Sequence, residues 1–204
     1  MNVKATPAIM KPISPELKQI IIDRALGKPL TIDPFLEDLL DLTMNDKNSS
    51  MLRELITVAV AGYEPIPGKL GYDAVCPVTG DLKEVKPSSN GNAGISDYTT
   101  TRFIKDRETK VHIVQSLFLD GRLYFVVEYS IEAIAERLQS QIQIQCVERK
   151  NQYVRSASWS YLYWINHPSL RLHYIDWTLI DSNPKCMTKP MLTQFRQKFA
   201  LTPA

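Results

Sequence analysis

The chain has 204 residues, 44% of them hydrophobic and 23% charged, the composition of a single globular domain able to bury a sizeable core. Its 24 Lys and Arg residues against 22 Asp and Glu leave a formal net charge of +2, too weak a field to announce a nucleic-acid or membrane partner without a local patch. No apolar run approaches the roughly 20 residues that cross a bilayer, residues 1–11 lack the apolar stretch of a signal peptide, and Cys76, Cys146 and Cys186 are too few and too widely spaced for a disulfide framework or a structural zinc site. A reduced, cytoplasmic protein without a membrane segment is the expectation.

Ser14 followed by Pro15 is a helix start, and Leu17, Ile20, Ile21 and Ala25 recur at helical spacing until Gly27, which predicts a helix over 15–26. Asp33 and Pro34 repeat that start, and Phe35, Leu36, Leu39, Leu40 and Leu42 supply the apolar stripe of a second helix. The polar stretch 45–50 breaks the chain before a third helix over 51–61, apolar on nearly every side and closed by Gly62, as suits a helix lying on a sheet. Strand-like runs at 70–76 and 82–87 flank the turn residues 77–80 and predict a hairpin. Residues 88–96 are polar and glycine-containing and read as a functional loop, while 97–107 carry no pattern that assigns them. Asp120-Gly121 joins strands at 110–119 and 122–130 into a second hairpin. A helix over 131–143, strands within the basic and aromatic region 149–177, and a helix over 191–200 complete the chain.

Alternation on a strand puts Glu84 and Lys86 on one face and Val85 on the other. With 77–80 as the turn, Cys76 pairs with Asp81, and counting back sets Asp73 across from Glu84 with Cβ atoms roughly 5 Å apart. Two carboxylates at that separation suit a divalent cation such as Mg²⁺, and a lysine beside them can orient or deprotonate an attacking water. The acid-x-Lys tripeptide alone selects nothing, since it recurs at Glu16, Asp81, Glu108 and Glu148. Only Glu84-Val85-Lys86 lies on a predicted strand, after an aspartate-bearing strand and an apolar helix. The alternative is a solvated hairpin whose Asp, Glu and Lys form an ordinary surface ion-pair ladder.

Gly71-Tyr72-Asp73-Ala74-Val75 followed by Glu84-Val85-Lys86 resembles the PD-(D/E)xK nuclease superfamily, of which restriction endonucleases are the best-known group. The resemblance covers about 50–140 and departs from the pattern at Tyr72, which stands where the family name has proline. It implies an α/β (α+β) fold with a central mixed sheet flanked by helices. It further implies Asp73, Glu84 and the Val85 backbone carbonyl as metal ligands, Lys86 as the residue that positions or activates water, and a further acid from the preceding helix. Glu54 fits that place, with Glu64 in the following loop as a competitor. The implied activity is Mg²⁺-dependent hydrolysis of phosphodiesters in double-stranded DNA, with Mn²⁺ able to substitute, by a homodimeric type II restriction enzyme. A homing, phage or repair nuclease on the same fold, or a nucleic-acid-binding protein without catalysis, are the other readings. The chain then divides into a helical part at 1–49, the catalytic core, and a part at 141–204 with candidate DNA-binding or dimer elements.

Phosphate contacts are expected beside such a centre. Ser88, Ser89, Asn90, Asn92, Ser96 and Tyr98 can hydrogen-bond to phosphates or base edges, and Arg102, Lys105, Arg107 and Lys110 follow within a short span, so 88–110 is the candidate DNA-facing loop. Trp159, Tyr161 and Tyr163 alternate as one buried face of a strand. Arg149, Lys150 and Arg155 suit phosphate contacts and a plain solvated turn equally. His112, His167 and His173 are scattered and read as structural.

Overall fold

The computed structural model describes residues 14–45, 50–66, 71–183 and 185–199. The early helix starts are as their caps dictate. In α1 (Pro15–Ala25) the Ser14 hydroxyl accepts from the Leu17 N–H at 3.2 Å, and ahead of α2 (Pro34–Asn45) the Asp33 carboxylate accepts from the Phe35 N–H at 2.9 Å. α3 (Ser50–Val60) follows the predicted break, of which 46–49 lie outside the described residues.

Next come β1 (Glu64–Pro65), β2 (Ala74–Val75) and β3 (Leu82–Ser88), an antiparallel meander. The predicted strand at 70–76 is thus reduced to two paired residues, and Leu70 lies outside the described residues. β4 (Ala93–Tyr98) and α4 (Thr100–Glu108) precede β5 (His112–Leu119), which returns parallel to β3. β6 (Arg122–Ser130) pairs antiparallel with β5 through a turn in which Asp120 and Gly121 have φ of 48° and 69°, the left-handed pair that a tight primed hairpin turn requires. A short 3₁₀ turn (Ile131–Ile134), α5 (Ala135–Ile142) and a wide helical turn (Gln143–Glu148) lead to β7 (Val154–Trp159). β8 (Arg171–Ile175), α6 (Trp177–Ser182) and α7 (Lys189–Phe199) close the chain; Ala200, the end of the predicted last helix, lies outside the described residues.

The main sheet has the order β1-β2-β3-β5-β6-β8 with one parallel pair, β3 with β5, while β4 and β7 form a separate antiparallel ribbon. This is the expected mixed central sheet flanked by helices. Strand alternation sends Val85, Val114, Phe118 and Val126 to one face, where they pack with Ile21 and Ala25 of α1, Leu40 of α2 and Ile56 and Val58 of α3. The Thr57 and Ser116 hydroxyls, 2.7 Å apart, pin α3 to β5 on that side. The opposite face buries Ile113, Leu117, Phe125, Val127 and Tyr129 against α4, α5, α7 and the ribbon, through Phe103, Leu138, Phe195, Tyr98 and Trp159.

Two expectations are corrected. Residues 88–96 are not an open loop, because β3 runs to Ser88, β4 starts at Ala93, and between them Ser88, Asn90 and Asn92 satisfy one another: the Asn92 N–H and the Ser88 hydroxyl both donate to Asn90 Oδ1, at 3.0 and 3.1 Å. The aromatic alternation at 159–163 is not one strand, since β7 stops at Trp159 and a 3₁₀ turn (Tyr161–Tyr163) follows, leaving Tyr163 exposed.

Candidate active site

β2 and β3 are in the register that the hairpin turn predicts: Ala74 faces Lys83, Val75 faces Leu82, and the Cys76 N–H donates to Asp81 O at 2.9 Å. One residue further along, Asp73 stands across from Glu84. The ladder loosens there, with the Asp73 N–H donating to Lys83 O at 3.0 Å and the Asp73 side chain accepting from the Val85 N–H at 2.7 Å. A strand residue presents its N–H and C=O to the same edge, so the Val85 carbonyl faces the Asp73 side, beyond the last β2 pair. Its side chain is buried in the α1–α3 face while Glu84 and Lys86 occupy the other.

Glu84 is largely enclosed, its side chain 14% exposed, and both of its oxygens are engaged: Oε1 accepts from Lys86 Nζ at 2.6 Å and Oε2 from Arg102 Nη2 at 3.1 Å. Burial pushes the carboxyls of both Asp73 and Glu84 above the usual carboxylate range, and Lys86 draws them back. Each feels another acid, Glu84 that of Asp73 and Asp73 that of Glu54. Glu54 lies half-buried on α3, near enough for Asp73 to feel its charge, whereas Glu64 is exposed on β1 opposite Val75. A half-buried carboxylate pair with a backbone carbonyl beside it is a donor set that suits Mg²⁺, which takes one or two carboxylates and completes its shell with water and phosphate oxygens. Among the described residues no three His, Cys, Asp or Glu side chains group closely enough to hold a metal by themselves.

The expected DNA-facing segment 88–110 is folded, and this redistributes its residues. Ser88 is buried, and so is Tyr98, whose hydroxyl donates to Asp106 at 2.7 Å; neither faces a groove. Arg107 donates from Nε and Nη2 to Glu132 at 2.7 and 3.0 Å. Ser89, Asn90, Asn92, Ser96, Lys105 and Lys110 are exposed, and Lys105 lies 5.8 Å from the Tyr72 ring centroid. Arg102 belongs to the carboxylate site itself.

A second polar cluster escaped the sequence. Glu128 of β6, with no exposed side-chain surface, accepts from Lys83 of β3 at 2.9 Å and faces His112 of β5 at 2.6 Å and His173 of β8 at 2.7 Å, and Tyr63 completes its four contacts. Burial works to raise the Glu128 carboxyl, but these partners outweigh it and hold it well below the usual carboxylate range. Each partner comes from a different segment, so no local spacing signals the group. Compared with protein-family models and with curated proteins, the chain matches none. Among the described residues no helix is long and apolar enough to cross a membrane.

Proposed function

We propose that the chain is a Mg²⁺-dependent endonuclease of the type II restriction kind, acting on double-stranded DNA as a cytoplasmic homodimer. The observation that carries this reading is the meeting of Asp73, Glu84, the Val85 carbonyl edge and Lys86 at the loosened end of the β2–β3 ladder, with both carboxyls pushed up by burial. Its resemblance to PD-(D/E)xK nucleases supplies the reaction. Bound Mg²⁺, for which Mn²⁺ could stand in, supplies Lewis-acid stabilisation of phosphate charge. Asp73, Glu84 and the Val85 carbonyl would hold the cation, with Glu54 as the further acid. Lys86 orients the attacking water, whose oxygen bonds to phosphorus as the bond to the leaving sugar oxygen breaks; the water's proton passes to solvent and the leaving oxygen gains one there. A two-fold dimer suits a palindromic target cut on both strands.

A second reading, a nucleic-acid-binding protein without catalysis, is favoured by one observation: Glu84 already has Lys86 and Arg102 on its two oxygens, as in a structural ion-pair network. Cleavage separates the two. Wild-type protein, Glu84→Ala and Lys86→Ala are incubated with long mixed-sequence duplex, with Mg²⁺ and with EDTA, and any ends are sequenced. The endonuclease gives discrete Mg²⁺-dependent fragments from wild type alone, and Lys86→Ala still binds duplex. Intact DNA in every lane, on several unmodified substrates, overturns it.

A further inference from the structure

Arg102 is held more firmly than an exposed ion pair requires. Asp106, one turn further along α4 with its side chain 3% exposed, accepts from Arg102 Nε at 2.7 Å, from the Tyr72 hydroxyl at 2.8 Å and from the Tyr98 hydroxyl at 2.7 Å. The guanidinium also lies 4.2 Å from the Tyr72 ring centroid, a favourable place for a cation. A buried carboxylate and two tyrosines thus fix the Nε side of the fork and leave the Nη side projecting at Glu84 Oε2, with the Gly71 carbonyl 3.5 Å from Nη2. Tyr72, the residue that departs from the family's proline, is part of this clamp and immediately precedes Asp73.

Neutralising Glu84 does not by itself explain this construction, because Lys86 is already 2.6 Å from the other oxygen. An oriented fork beside a carboxylate pair matches the planar, doubly accepting edge of a phosphate far better than a lysine does. We propose that Arg102 is a further catalytic residue, whose Nη2 pairs with Glu84 in the free protein and whose Nη groups donate to the scissile phosphodiester in the complex. The proposal rests on the endonuclease reading and adds an exchange of partners to it. In the free protein Arg102 competes with a divalent cation for Glu84; in the complex it stabilises the charge that develops on phosphorus-bound oxygen.

The exchange predicts effects of opposite sign in one variant. Mn²⁺ binding without DNA is measured from the spin-resonance signal of the free ion, and single-turnover cleavage is measured with Mg²⁺, for wild type, Arg102→Ala, Arg102→Lys and Asp106→Asn. Arg102→Ala should bind Mn²⁺ about tenfold more tightly, the effect of one neighbouring charge on a carboxylate. Its cleavage should be slower by about 10²–10³-fold, the scale of one lost charge-stabilising donor. Guanidinium ion added in solution should restore part of that cleavage and none in Lys86→Ala. Arg102→Lys keeps the charge and lacks the fork, so its Mn²⁺ affinity stays near wild type while cleavage stays slow. Asp106→Asn, which frees the fork, should slow cleavage without tightening Mn²⁺ binding to the Arg102→Ala level. Wild-type cleavage rates in Arg102→Ala overturn the proposal, as does joint loss of Mn²⁺ binding and cleavage, which would mark Arg102 as a scaffold for the carboxylates. If wild type itself leaves every duplex intact, the endonuclease reading has failed and the proposal falls with it.

Discussion

Glu128 shows how much a single buried anion can organise. Its carboxylate meets Lys83, itself 3% exposed, and the half-buried His112 and His173, so every strand of the sheet from β3 to β8 contributes a side chain or a neighbour to it. Removing one partner of a buried ion pair leaves the other charge without compensation, which typically costs about 3–5 kcal/mol. Glu128→Gln should accordingly lower the unfolding free energy in a denaturant titration by about 3 kcal/mol or more, and adding Lys83→Met should recover part of that loss. The pH dependence has a definite sign. A carboxyl held below its ordinary range gives stability that is full above about pH 4.3, the unfolded value, and declines below it until the lowered folded value is passed. The gap between wild type and Glu128→Gln should therefore narrow as pH falls below about 4.3. A gap that stays unchanged there would mean that Glu128 is not the anion holding the cluster.

Elements whose ends carry local chemistry were legible, and those held by distant partners were not. Ser14-Pro15, Asp33-Pro34 and Asp120-Gly121 act within a few residues, and α1, α2 and the β5–β6 hairpin sit where those signals put them. The register of β2 on β3 was legible for the same reason, because the turn at 77–80 sets it, and so the facing of Asp73 and Glu84 could be counted out. α4 was hidden because its inward face holds Phe103 and the polar Asp106 instead of an apolar stripe, although its cap is local, Thr99 accepting from the Arg102 N–H at 3.0 Å. The ribbon of β4 with β7 joins Ala93 to Trp159 and Tyr98 to Val154, a pairing that no window of sequence contains. α4 also ends under strain: Lys110 has φ of 51° where the Val111 N–H donates to Asp106 O at 2.9 Å and the Lys110 N–H to Arg107 O at 3.1 Å, the left-handed stop at which glycine is favoured. Lys110→Gly should stabilise the protein by about 0.5–1 kcal/mol, a rise of about 1–4 °C in Tm. An unchanged or lower Tm would show that the Lys110 side chain contributes as much as its backbone strain costs.

With a net charge of only +2, the whole molecule cannot attract a duplex through its overall field, so affinity must come from the few cations that the fold leaves facing the carboxylate site. α4 sorts them. Arg102, Lys105 and Asp106 lie at i, i+3 and i+4 and share one face, and that face carries Tyr72 under both Arg102 and Lys105. Arg107 is turned roughly 140° around the helix from Arg102 and is occupied by Glu132 on both of its donating nitrogens. If duplex lies across the site, Lys105 releases a counterion on binding and Arg107 does not. In a Lys86→Ala background, where binding persists without cutting, duplex affinity is followed across a series of salt concentrations. Lys105→Ala should weaken binding and make the slope of log affinity against log salt shallower by about 0.9, the contribution of one phosphate contact to B-form DNA. Arg107→Ala should leave that slope where it was. The reverse pattern would place the duplex on the Glu132 side of α4 and detach it from Asp73, Glu84 and Lys86, which the endonuclease reading could not survive.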